Sequence, residues 1–149
     1  MVIDATPTEY SVAIQFHAVM QAAYALEAER ISFAEFPPLR ESLEELRQSS
    51  DSFLVFQQAG RIIGGLSYRR ETDTVAITRL VVSPGHLRQG IATALLSDLE
   101  SRLFPITRLT VSTAATNAPA LSLYQRFGFK TARASTSAEG IPLLHLCKA

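Results

Sequence analysis

The chain is poor in the residues that build covalent or metal frameworks. One cysteine, Cys147, stands among 149 residues, which excludes an internal disulfide framework. The three histidines, His17, His86 and His145, lie too far apart for a local zinc motif, so no metal is expected. Neither sign of charge is in excess. Fourteen Lys and Arg balance fourteen Asp and Glu, which argues against a mainly electrostatic nucleic-acid binder. No apolar run approaches the ~20 residues of a membrane-spanning helix, and Met1-Val2-Ile3-Asp4 shows no basic flank leading into an apolar stretch. The expectation is a soluble, cytoplasmic protein with neither a membrane nor a nucleic acid as partner. What is present suits a packed core: 47% of residues are hydrophobic and 19% charged, with mean hydropathy +0.13. At this length one domain spanning 1–149 is expected.

Val12, Phe16, Val19, Ala23 and Leu26 recur at steps of three and four, predicting a helix from about Ser11 to Arg30. Pro37-Pro38 can open a helix, and Leu39, Leu43 and Leu46 predict a second, shorter one ending at Ser49-Ser50. Phe53 to Phe56 and Ile62 to Tyr68, joined by an Ala59-Gly60 turn, read as an antiparallel hairpin. Within it, Gly64-Gly65 marks a bulge or a close approach of backbone. After a turn at Glu71-Thr72-Asp73, Val75 to Val82 is a mostly apolar run suited to a strand covered on both faces, at the centre of the sheet.

Gly90 then opens a helix through Ile91, Ala94, Leu95, Leu99 and Leu103, followed by a strand from Thr107 to Thr113. A helix from Ala118 to Phe127 stops at Gly128, with Leu123 and Phe127 toward the core, and a strand from Phe129 to Ala134 completes a β-α-β-α-β run. Ser135 to Gly140 reads as a mobile loop before a last strand, Ile141 to Cys147. Antiparallel strands first and alternating units later imply an α+β or mixed α/β fold with one sheet between helices.

The stretch with most chemical content runs from Leu80 to Thr93. A buried strand ends, a loop turns, and a helix begins, so free N–H groups converge with the positive end of the helix dipole and favour an anion. Gly90 allows close approach to a phosphate, Ala92 keeps the first turn uncluttered, and Arg88 or Gln89 adds donors. An ordinary strand-to-helix turn would use the same glycine. A second signal lies at Asn117 to Phe129, where Asn117 suits a helix N-cap or an adjacent loop position and Pro119 the first turn.

Together these stretches resemble the GNAT superfamily of N-acetyltransferases. The family's pyrophosphate loop, Arg/Gln-x-x-Gly-x-Gly/Ala after a strand ending Leu-x-Val-x-Pro, is similar to Leu80 through Ala92, with Leu87 in place of the first Arg or Gln. A later family motif of Asn, Ala, Leu-Tyr and Gly-Phe resembles Asn117, Ala120, Leu123-Tyr124 and Gly128-Phe129. The resemblance implies a central, mostly antiparallel mixed sheet of six to seven strands with splayed central strands, flanked by about four helices. It further implies that acetyl-CoA lies along Leu80, Val81 and Val82. Its pyrophosphate would sit at Leu87, Arg88, Gln89, Gly90, Ile91, Ala92 and Thr93, with Asn117 nearby.

The implied reaction is direct attack of a primary amine on the thioester, with backbone donors at the strand end stabilising the oxyanion and Tyr124 as general acid to the CoA thiolate. A core aromatic whose hydroxyl reaches solvent is the other reading of Tyr124. Many relatives carry Glu where this chain has Thr78, so the base is a water path or a carboxylate from elsewhere, with Glu27, Glu29 and Glu35 as options. Cys147 reads as a small packed side chain, His86 as a loop residue beside the phosphate, and His17 as structural. The acceptor amine stays open, and proteins of similar fold are often homodimers. The alternative is a non-catalytic acyl-CoA-binding or regulatory module of the same fold. A different nucleotide enzyme is disfavoured, since Gly-x-Gly-x-x-Gly and the Walker Gly-Lys-Ser/Thr are both lacking.

Overall fold

The first element is a short strand, β1 (Val2–Ala5), which pairs with the strand that carries Phe53 to Phe56. Helix α1 (Tyr10–Arg30) follows, then a 3-10 turn (Pro37–Arg40) and the short helix α2 (Leu43–Arg47). The hairpin is β2 (Ser52–Gln58) and β3 (Arg61–Arg70), succeeded by β4 (Thr74–Val82). Next come α3 (Ile91–Arg102), β5 (Arg108–Ala114), α4 (Ala118–Arg126), β6 (Lys130–Thr136) and β7 (Pro142–Lys148). The computed structural model describes residues 1–103, 105 and 108–149; the expected start of β5 at Thr107 lies outside the described residues.

The strands form one sheet in the order β1-β2-β3-β4-β5-β7-β6, with β4 at its centre. All neighbours are antiparallel except β4 and β5, which α3 links as a parallel pair. That pair is joined over three residues only, Thr74 to Ala76 against Arg108 to Thr110. From Ile77 onward β4 keeps a strand partner on its β3 side alone, and the sheet splays open.

Two layers of apolar packing hold the sheet. On one face Leu95, Leu96 and Leu99 of α3 pack with Leu66, Val75, Ile77 and Leu109. On the other, Phe16, Val19 and Met20 of α1 pack with Phe53, Val55 and Val81. The glycine pair marks the close approach that the sequence implies: a Cβ on Gly65 would collide with the Phe16 ring and lie 3.0 Å from the Leu54 carbonyl oxygen. At the hairpin tip Ala59 and Gly60 both take positive φ (52° and 76°), the twist that suits a two-residue hairpin turn.

The structure corrects several boundaries. The second helix is two pieces, because Ser42 and Glu45 form a reciprocal capping box that starts α2 afresh after the 3-10 turn. Strand β7 inserts between β5 and β6, so the last β-α-β unit is not a pair of neighbours. Ser135 and Thr136 belong to β6, and Ser137 to Gly140 is a turn closed by Gly140 N–H to the Ser137 carbonyl at 3.0 Å. From α4 the fully buried side chain is Tyr124, whereas Leu123 and Phe127 only edge the core. The centre of β4 is not covered on both faces, since Thr78 is exposed.

Candidate active site

A cleft of about 510 Å³ opens where β4 ends and α3 begins. Its floor is Leu80, Val81 and Val82, and its far wall is Asn117, Ala120 and Leu123 of α4. The loop between β4 and α3 holds Arg88 at φ 61° and Gly90 at φ 76°, left-handed conformations of the kind found where backbone N–H groups form an anion-binding concavity. Gly90 caps α3, whose first N–H groups have no partner within the helix. Arg30, Arg88 and Arg126 line the same cleft. The Nδ1 of His86 is buried there without a hydrogen-bond partner. Backbone donors, a helix N-terminus and three guanidiniums around an elongated apolar floor suit a pyrophosphate attached to a flexible thiol arm.

A second cleft of about 290 Å³ opens in the gap between β4 and β5, under the 3-10 turn. Tyr24, Glu27 and Leu80 line both clefts, so the two meet at these side chains. Asn117 Nδ2 donates to Glu27 Oε1 at 2.8 Å, and Asn117 Oδ1 accepts from Ala120 N at the start of α4. Burial pushes the Glu27 carboxyl up to about 7, against the opposing effects of the Asn117 donor and the nearby Arg30. A carboxyl raised in this way takes up a proton more readily near neutrality than an ordinary glutamate does.

A polar network is built around the middle of β4, on the wall of the second cleft. Pairing Ser67 with Arg79 and Tyr68 with Ile77 leaves Thr78 as a bulged extra residue. Thr78 and Arg79 consequently address the same partners. Thr78 Oγ1 lies 2.7 Å from both Ser67 Oγ and Asp51 Oδ2, and Arg79 Nη1 donates to Asp51 at 3.1 Å and Ser67 at 3.0 Å. The other edge of the guanidinium binds Glu41 through Nε at 2.9 Å and through Nη2. His17 Nε2, 2.8 Å from the Glu41 carbonyl, and Gln21, donating to the Leu39 carbonyl, pin the same segment to α1. The structural reading of His17 is what the structure shows.

The sequence profile of the acetyltransferase (GNAT) family matches residues 17–129. The chain belongs to that family. Among curated proteins it is similar to the UPF0157 protein YqkA of Bacillus subtilis (strain 168), 35% identical over 135 residues. That match takes in 91% of this chain and 39% of YqkA, so the chain spans about two fifths of its relative's length. Solved structures of GNAT-type enzymes share the fold. The PaiA N-acetyltransferase of Thermoplasma acidophilum, in complex with coenzyme A, aligns with TM-score 0.80 at 18% identity, covering 99% of this chain and 97% of that one. The ribosomal-protein-S18-alanine N-acetyltransferase of Escherichia coli aligns with TM-score 0.77 at 20% identity, covering 99% and 92%.

Of the residues named from the GNAT resemblance, Leu80, Val81, Val82, Leu87, Arg88, Gly90, Ile91, Ala92, Thr93 and Asn117 line the larger cleft. Gln89 is exposed on the loop and does not line it. Leu87 is 38% exposed at the cleft edge, and Arg88 comes next to it. Tyr124 lies behind the lining, buried against Phe129 with ring centroids 5.5 Å apart and close enough to Glu27 to feel its charge. Burial raises its pKa and keeps the phenol protonated.

Of the three acidic options, Glu27 alone lines a cleft, while Glu29 and Glu35 are exposed and line neither. Tyr24 was not singled out from the sequence, although it faces both clefts and is also held protonated by burial. Arg30 and Arg126 were missed as well. Each ends a helix, where a cation is ordinarily explained by the helix dipole alone. No helix of the described residues is long and apolar enough to cross a membrane.

Proposed function

We propose that this chain is an acetyl-CoA-dependent N-acetyltransferase that passes the acetyl group directly to a primary amine held in the second cleft. The observation that carries the reading is the meeting of two clefts at Glu27, in the gap where β4 and β5 part. The cofactor's pyrophosphate is held by the Arg88 to Thr93 loop and helix start, and its arm follows Leu80 to Val82. Glu27, with its carboxyl raised to about 7, accepts the proton that an ammonium must lose before it can attack. Unpaired backbone N–H groups on the open edge of β4 stabilise the oxyanion that develops on the thioester carbonyl. Tyr124, buried behind the lining of the larger cleft and beside Glu27, is the proposed donor of the proton that the departing thiolate takes up. The buried, Asn117-bound position of Glu27 supplies the base that Thr78 cannot.

Calorimetric titration of acetyl-CoA tests the cofactor half. Micromolar binding, weakened in Arg88→Ala and Gly90→Val, is the expected result, and no binding by the unaltered protein would overturn the proposal. Binding without acetyl transfer to any amine would leave a non-catalytic acyl-CoA-binding module in its place.

A further inference from the structure

The second cleft has walls distinct enough to specify what it accepts. Phe36, Pro37 and Pro38 form one side, and Val111, Ile141 and Leu143 the other, so the body of the ligand meets apolar surface. At about 290 Å³ the cleft sits at the small end of ligand pockets, which run from about 300 to 1,000 Å³.

Charge is distributed unevenly around it. Among the described residues lining this cleft the one cation is Arg79, and four hydrogen bonds to Glu41, Asp51 and Ser67 already occupy its guanidinium. Two carboxylates against one guanidinium leave that group with a net negative charge. Glu139 at the rim is paired with Arg40 at 3.2 Å. At the inner end stands Glu27, whose Asn117 partner has its amide committed to Glu27 and to the α4 N-terminus. Arg30 lines the cofactor cleft and not this one.

An ammonium entering here is drawn to Glu27, but a carboxylate attached one carbon away would follow it inward and find no free cation lining this cleft, since Arg30 acts on Glu27 from the larger one. Carrying an unpaired charge into a half-buried acidic site is strongly unfavourable. We infer that the acceptor is a primary amine on a compact apolar or aromatic body, with no carboxylate beside the amine. The inference rests on the assignment of this cleft to the acceptor in the proposed function, and it narrows that function to one class of amine.

Three amines with the same ring isolate the effect: phenethylamine, phenylalaninamide and phenylalanine, compared by thiol release from acetyl-CoA. The kcat/KM for phenethylamine is expected to exceed that for phenylalanine by about 100-fold or more. Phenylalaninamide, which has the bulk without the charge, is expected to recover most of that difference. Ethanolamine, lacking the apolar body, is expected to fall well below phenethylamine.

Equal rates for phenylalanine and phenethylamine, or a preference for ethanolamine, would overturn the inference. So would phenylalaninamide exceeding phenethylamine by more than about tenfold, which would point to peptide N-termini. If calorimetry shows acetyl-CoA binding but none of the aromatic amines is acetylated, the acceptor class is wrong while the cofactor half stands. If acetyl-CoA itself fails to bind, the proposed function falls first and this inference with it.

Discussion

The two clefts differ in what they are made of. The larger takes half of its lining from one continuous stretch, the end of β4 through the first turn of α3, where the unpaired N–H groups of a helix start are offered. The smaller draws short groups of side chains from α1, the 3-10 turn, β4, β5 and the β6–β7 hairpin, elements remote in sequence. A backbone-built site tolerates an altered side chain but depends on conformation. A side-chain site has the opposite sensitivities, and that contrast can be tested one residue at a time.

The largest effect is expected at the junction. Glu27→Gln should lower kcat by about 10²- to 10⁴-fold with acetyl-CoA affinity unchanged, measured by steady-state kinetics beside calorimetry. Its stability should move the other way. A carboxyl whose pKa is raised on folding binds more protons in the native than in the unfolded state between its ordinary value and about 7. Stability therefore falls as pH rises through that window, and the glutamine variant, free of the penalty, should melt higher than the parent at pH 8. Lower activity with a lower melting temperature would instead indicate damage to the fold.

Next comes the acceptor-side scaffold. Arg79→Ala leaves Glu41 and Asp51 facing each other without a cation, in a setting where each side chain is mostly buried. Unfolding in urea should show a loss of about 3 kcal/mol, while the cofactor loop, built elsewhere, should bind acetyl-CoA as before. Weakened acetyl-CoA binding would mean the clefts are not independent.

Gly90→Ala probes conformation alone, since nothing lies within 4 Å of a Cβ placed there and φ is 76°. The strain, about 1–2 kcal/mol, should appear chiefly as weaker acetyl-CoA binding, with the preference among amines unaltered. The smallest expected effect is a shift of a pH profile. Asn117 donates to the charged form of Glu27, so Asn117→Ala should raise the acidic limb of kcat above about 7. The same variant loses an N-cap worth about 1 kcal/mol.

The contrast between the clefts also explains how much of the molecule is legible in its sequence. The β2–β3 hairpin, the β4-loop-α3 passage and the Asn117 cap are legible because each is encoded within one continuous stretch by turn glycines, periodicity and capping chemistry. Strand β1 is not, since four residues carry too little alternation to stand out. Nor is the placement of β7 between β5 and β6, because strand order depends on long-range pairing that no local pattern records. Within the site, Glu27 shares its sequence appearance with Glu29 on the same helix. What separates them is the direction each faces on a helix whose neighbours are Asn117 and β4, and only the packed chain supplies that. Tyr24 and Arg30 are hidden for the same reason.

The surplus residue in β4 also shapes the sheet around it. The side chains of Val75 and Ile77 before it, and of Leu80 and Val82 after it, all belong to the α3 face, so Thr78 interrupts the ladder while the rest of the strand keeps its facing. Excising that one residue would restore a regular strand and keep every apolar side chain in its own layer. The irregularity of β4 is thus confined to one residue, and the layering of the strand on either side of it does not depend on its side chain.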